Sequence, residues 1–189
     1  MISPASIAAP SLAALHTAAA AAGLTVRASA SWPETDADTE VPALAGFIES
    51  SFSPLLAEVA ARALRRRAQP QDSGNVTAIV MVTALGDVTS AVRVAAAVDA
   101  GKRVSPLLFF QSVPNAVAGY LAVQWQLTGP VVCVSGIRAG LDVAALLIED
   151  ADADEALVVC VGLAVTNGDR DRAAAIVVTG VAGELHRTA

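Results

Sequence analysis

The sequence predicts an α/β domain: a mixed, mostly parallel sheet with helices on both faces. Three observations carry that prediction. The stretches "VTAIVMVTA" (76–84), "ALVVCVGLAV" (156–165) and "AAAIVVTGV" (173–181) are unbroken apolar runs rich in β-branched residues, the pattern of strands covered on both sides. Segments with helical caps and helical apolar spacing alternate with them. Finally, 54% of the 189 residues are hydrophobic and only 16% are charged, enough apolar surface for one substantial core in a single domain spanning 1–189.

Each element has a local reason. Residues 11–22, "SLAALHTAAAAA", are strong helix formers stopped by Gly23. "ASASWPETDADTEVP" (28–42) is polar with two prolines and reads as a loop. In "SFSPLLAEVAARALRRR", Ser53 is placed to cap a helix with Pro54 at its first position, and Leu55, Leu56, Val59, Ala60, Ala63 and Leu64 form an apolar stripe. After the strand at 76–84, "DVTSAVRVAAAVDAG" reads as a helix capped by Asp87 and ended by Gly101. A further helix is expected from Asn115 to Gly129, with Ser112 and Asn115 as turn and N-cap residues; Pro130 then opens the strand "VVCVS". The helix from Arg138 to Glu149 is apolar around most of its circumference, which predicts that it is buried. The last two strands are expected to form a hairpin turning at Asn167-Gly168.

Composition excludes several functions. A net charge of −6 argues against nucleic-acid binding, which calls for a basic field. The one basic cluster, Arg62, Arg65, Arg66 and Arg67, sits where cations complement a helix C-terminus. Cys133 and Cys160 lie in Val-rich runs without a CxxC or nearby histidine and read as buried, reduced thiols. "DADADE" (150–155) mimics the opening of a calcium loop, but Glu155 stands where that loop needs glycine and Val161 where it needs glutamate; it reads as a solvated turn, and no metal is expected. Neither GxGxxG nor GxxxxGK[ST] occurs, so no cofactor is expected. "ASA" near residue 30 resembles a leader cleavage site, yet no basic residue precedes Arg27, and no uncharged run is long enough to span a membrane. The expected location is the cytoplasm, away from membranes.

Residues 105–135, "SPLLFFQSVPNAVAGYLAVQWQLTGPVVCVS", resemble the N-terminal halves of the β-ketoacyl synthases. Ser105, Pro106, Phe109, Ser112, Val113, Asn115, Ala118, Gly119, Leu127, Gly129 and Pro130 carry the match, eleven positions within 26 residues. "LAGFIESSFSPLLAEVAARAL" and the strand-helix unit after it are similar to the preceding part of a ketosynthase-like N-terminal subfamily, extending the resemblance over roughly residues 41–180.

The resemblance implies a thiolase-like N-terminal half. It implies that the strand after Gly129-Pro130 leads into a sharp turn, where these enzymes carry a nucleophilic cysteine at the start of a central helix. Arg138 occupies that position here. A guanidinium offers neither nucleophile nor general base, and Cys133, five residues earlier in the expected strand, is not a replacement. Ketosynthases also take two histidines and a lysine from a C-terminal half. The expectation is that this half is absent, since only His16 and His186 occur and neither has the family's context.

Two functions follow from that resemblance. The first is a non-catalytic ketosynthase-like subunit, a partner or scaffold in polyketide or fatty-acid biosynthesis. It would be a homodimer, or a heterodimer with a ketosynthase, joined through the strand containing Val132 and Cys133. Without a second half, the apolar helix at 138–150 would be left uncovered and favour association. The second is an enzyme of altered chemistry on carrier- or coenzyme A-linked acyl thioesters, using Ser112, Asn115 or Ser135 with Arg138. An anion would then sit beside Arg138; the plainer expectation is an ion pair with Asp142, one turn on. Arg65, Arg66 and Arg67 are candidates for docking an acidic acyl carrier protein. Trp32, Tyr120 and Trp125 read as core or interface anchors.

Overall fold

A computed structural model describes residues 11–67, 74–106, 108, 112–164 and 169–181. Phe109 of the family-like motif, the Asn167-Gly168 turn and His186 lie outside the described residues.

Helix α1 (Leu12–Ala21) begins at Ser11, whose hydroxyl accepts from the Ala14 N–H, and ends at Gly23 with φ +70°. Strand β1 (Leu24–Trp32) follows at once. It corrects the expectation of a loop from residue 28: Ala28, Ala30 and Trp32 are buried in alternation, and small alanines hide that period-2 signal from a hydropathy reading. Helix α2 (Phe52–Arg65) starts earlier than expected, with Ser51 at the N-cap position and Pro54 in the first turn; the Ser53 N–H donates to the Ser50 hydroxyl. Its predicted stripe from Leu55 to Leu64 is buried.

Strand β2 (Thr77–Val82) is buried at every residue. Helix α3 (Val88–Asp99) is capped by the Asp87 carboxylate, which accepts from the Ser90 N–H, and stops at Gly101 with φ +63°. Helix α4 (Pro114–Trp125) has Val113, not Asn115, at its N-cap and Pro114 at its first position; it ends at Gln126 in the left-handed region, short of Gly129. Strand β3 (Val131–Val134), helix α5 (Ile137–Glu149), strand β4 (Glu155–Gly162) and strand β5 (Arg172–Gly180) complete the order.

The sheet order is β1-β5-β4-β2-β3. β2 is parallel to β3 and β4, whereas β5 is antiparallel to β4 and β1. The sheet is therefore mixed, as expected, but evenly so rather than mostly parallel, because β1 adds an antiparallel edge. Alternation along β2 divides the core. Ile79 and Met81 face α2 and α4, while Ala78, Val80 and Val82 face α1 and α5. Each fully buried Leu, Ile or Val side chain in these layers contributes about 1.5–3 kcal/mol.

Two glycines seat the segment around β3. The Gly129 N–H donates to the Thr77 carbonyl, and a Cβ there would stand 2.6 Å from Thr77 backbone atoms, so only glycine lets the chain enter β3 beside β2. On α5, a Cβ on Gly140 would lie 2.5 Å from Val82 Cγ2. The helix thus rests directly on the sheet.

Candidate functional site

The strand-turn-helix from β3 to α5 forms the candidate site. β3 is the terminal strand, paired with β2 through bonds such as Ile79 N–H to the Pro130 carbonyl and Thr83 N–H to the Val134 carbonyl. Its other edge meets no strand among the described residues. Val131 and Cys133 are exposed, whereas Val132 and Val134 are half-buried. The exposure of Cys133 corrects the expectation of a packed thiol: a four-residue apolar run does not announce whether it will be a central or an edge strand. Cys160, on β4, is buried as expected, and desolvation pushes its pKa up to about 12. Partial desolvation also raises that of Cys133.

The chain turns after β3 through Ser135, which is exposed, and Gly136, whose φ of +101° disfavours any other residue. Arg138 follows in the first turn of α5. Its guanidinium Nε donates to both Asp142 carboxylate oxygens, at 3.0 and 3.1 Å. Both side chains face solvent, 75% and 53% exposed, so the pair is a surface clasp worth no more than about 1 kcal/mol. It balances the cation against the positive end of the helix dipole.

α5 is not buried all round as expected. Gly140, Leu141 and Ala144 are buried on the sheet, but Leu146 is 54% exposed. Ser112 is half-buried and Asn115 is exposed, at the start of α4. The Gly86 turn after β2 lies against Pro114, which brings this end of α4 to the sheet end where β2 and β3 finish. Ser112, Asn115, Ser135 and Arg138 thus share one end of the molecule, the end where parallel α/β sheets hold ligands.

The arginines at the end of α2 have individual partners, most of them distant in the chain. Arg62 forks onto Asp38, with both bonds at 2.8 Å, also bonds Glu58, and lies 4.6 Å from the Trp32 ring centroid. Arg66 forks onto Glu34 at 2.6 and 2.7 Å. These guanidinium hydrogen bonds hold the Asp38 and Glu34 carboxyls below their ordinary range. Arg67 is buried against Glu155, which also accepts from the Thr77 hydroxyl. Glu155 therefore lies in the core at the start of β4, not in a solvated turn, while Asp154 accepts from the Val76 N–H. Arg65 is exposed and has no ion pair among the described residues. It rims a cleft of about 170 Å³ between α2 and α4, walled by Leu44, Leu121 and Trp125. Trp32 is buried; Tyr120 is partly exposed, edge-on to Phe47.

Where β2 and β3 finish, the turn at Ser135 and Gly136 presents the exposed Arg138 in the first turn of α5. His16 lies on the exposed side of α1. Among the described residues no three His, Cys, Asp or Glu side chains converge as metal ligands, and no helix is long and apolar enough to cross a membrane.

The family description "Beta-ketoacyl synthase, N-terminal domain" matches residues 24–167. A search of curated proteins finds no match by sequence. Among solved structures, a chain from the complex of a ketosynthase with its chain length factor from Xenorhabdus doucetiae matches with a TM-score of 0.66 at 18% identity. The match covers 85% of this chain and 80% of that one. The ishigamide ketosynthase/chain length factor matches with a TM-score of 0.60 at 19% identity, covering 80% of this chain and 50% of that one. At these identities the likeness is one of fold, and the fold is the thiolase-like α/β fold.

Proposed function

The chain belongs to the β-ketoacyl synthase N-terminal domain family, and from that premise we propose that it is a non-catalytic ketosynthase-like subunit, a partner or scaffold in polyketide or fatty-acid assembly. One observation carries the reading. The turn after β3, where the resemblance implies the family's nucleophile, leads into Arg138, which is clasped to Asp142. A guanidinium stays protonated at any physiological pH and forms no acyl intermediate. The neighbouring thiol, Cys133, lies on the strand before the turn.

The partner in this reading is a ketosynthase that supplies the cysteine. Both structures named above are described as ketosynthase and chain length factor together. In the first, similar shares of the two chains are aligned, so the matched chain is close to this one in length. The open edge of β3, uncharged and apolar, is suited to pairing with the equivalent strand of a partner about a two-fold or pseudo-two-fold axis. An acidic carrier protein would meet Arg65 and the exposed part of Arg66 rather than the buried Arg67. The protein would work in the cytoplasm, where its two free cysteines remain reduced.

Intact-mass measurement after incubation with acetyl- and malonyl-thioesters, with and without a co-expressed ketosynthase, tests the proposal. The expected result is an acyl group on the ketosynthase and none on this chain, with the two co-eluting. An acyl adduct on Ser135 or Cys133 would replace the reading with one of altered catalysis. A chain that stays a monodisperse monomer at micromolar concentration and ignores the ketosynthase would remove the partner role.

A further inference from the structure

The cleft between α2 and α4 is made by two helical stripes of unlike size. On α2, Pro54, Ala57, Ala61 and Arg65 fall at i, i+3, i+7 and i+11, along one face of the helix. Across from them stand Leu121 and Trp125, one turn apart on α4, and Leu44, from the segment before α2, adds a third wall. The two alanines are too short to fill the space between these larger side chains, so a trough of about 170 Å³ stays open. Contacts between packed helices ordinarily leave no such gap. The trough lies on the Ile79 and Met81 face of the sheet, opposite the face that carries α5.

Charge narrows what the trough can hold. Of the arginines near the end of α2, Arg62, Arg66 and Arg67 each have a carboxylate oxygen within 2.8 Å. Arg65 alone of this group has no ion pair among the described residues, although the chain carries a net charge of −6. It is exposed at the rim, beside the apolar walls. Glu58, the other charged residue lining the cleft, already accepts from Arg62 Nε at 2.8 Å, so the uncompensated charge at the rim is positive. Apolar walls with one placed charge are the usual make-up of a small-molecule site. Volume sets the size of the occupant, since a cavity of about 150 Å³ takes a benzene molecule. We infer that the cleft binds a small apolar monocarboxylate, its ring or chain of about six carbons packed between Ala57, Ala61, Leu121 and Trp125 and its carboxylate held by the Arg65 guanidinium. Such a site does not depend on the partner role proposed above, because it is built from this chain's own residues.

Calorimetric titration of the full chain with phenylacetate and with hexanoate, each beside its uncharged amide, tests the assignment. The half-buried Trp125 supplies a second signal, a fluorescence change that Trp125→Phe removes. Arg65→Gln is compared with Lys102→Gln, which takes the same charge from an exposed position elsewhere. The expected result is saturable binding of at least one of the two acids at millimolar concentration or below. Affinity falls by more than about tenfold for the amides and for Arg65→Gln, and by less than about twofold for Lys102→Gln. The stronger of the two acids tells whether a ring or a chain fits the trough. If neither acid binds, the inference is overturned. Binding that survives in Arg65→Gln, or amides that bind as well as the acids, would show a cleft that takes any apolar body and would refute the role given to Arg65. If the acids fail while an acyl carrier protein binds and loses affinity in Arg65→Gln, this arginine serves the carrier and the small-molecule site is wrong.

Discussion

Replacing Gly140 by alanine adds one methyl group at the point where α5 rests on the sheet, one helical turn from the candidate site. That carbon would lie 2.5 Å from Val82 Cγ2, with Val134 Cγ2 at 3.6 Å and Val80 Cγ1 at 3.7 Å around it. Non-bonded carbons settle at about 3.5–4.0 Å, so either the helix or a buried strand side chain must move by about 1 Å. Val82 is only 5% exposed and sits on a strand bonded on both sides, which leaves little room to yield. Overpacking of this kind costs about 1–3 kcal/mol. The same substitution at Gly119, in the middle of α4, meets nothing within 4 Å. There it relieves the helix of a glycine and stabilises by about 0.5–1 kcal/mol. Urea unfolding of the two variants beside the wild type reads both effects: with a slope of about 1–3 kcal/mol per molar, the midpoint moves down for Gly140→Ala and up for Gly119→Ala. A Gly140→Ala midpoint at or above the wild type would refute the claim that α5 sits directly on β2.

Other outcomes follow from the same structure. Cys133 reacts with a thiol reagent in the folded protein and Cys160 does not, read by mass after digestion; equal labelling would contradict the exposed edge of β3. Because the fold holds the Cys160 proton up to about pH 12 while the unfolded chain releases it near 9.0, stability falls as pH rises through that window, and Cys160→Ala flattens the fall. On the acid side, Asp38 and Glu34 are held below their unfolded values of 3.8 and 4.5, so their contribution is present above those values and is lost as pH drops through the folded ones. Arg62→Met should therefore weaken the acid-side pH dependence of the urea midpoint. Glu155→Gln leaves the buried Arg67 charge uncompensated and destabilises by about 3–5 kcal/mol. Arg138→Ala removes an exposed clasp and changes stability by less than about 1 kcal/mol; a larger loss would mean that Arg138 holds more than Asp142.

The parts of the fold legible in the sequence are those whose signal is local. Ser11, Asp87, Gly23 and Gly101 punctuate helices by their own chemistry, and β2, β4 and β5 declare themselves as continuous apolar runs. β1 escaped because it buries alanines between serines, a period that hydropathy barely registers. The partners of Arg62, Arg66 and Arg67 escaped for another reason: Asp38, Glu34 and Glu155 lie 24, 32 and 88 residues away. Within the candidate site, the glycine turn and Arg138 were readable. That β3 is an edge and that Cys133 is exposed depend on strand order, which no short stretch encodes.

The pairing of β1 with β5 has a consequence in time. It joins residues 24–32 to 173–180, the longest separation in the sheet, so among the described strands β1 comes first in the chain and gains its neighbour after the others have been made. At about 5–20 residues per second, β1 and the α1 helix before it wait on the order of ten seconds for their place in the core. During that interval Leu15, Ala19 and Leu24 are exposed to the crowded solution in which the ribosome works. The ribosome finishes this domain before the domain can close, and the late, long-range step sets how quickly the newly made chain becomes safe from aggregation.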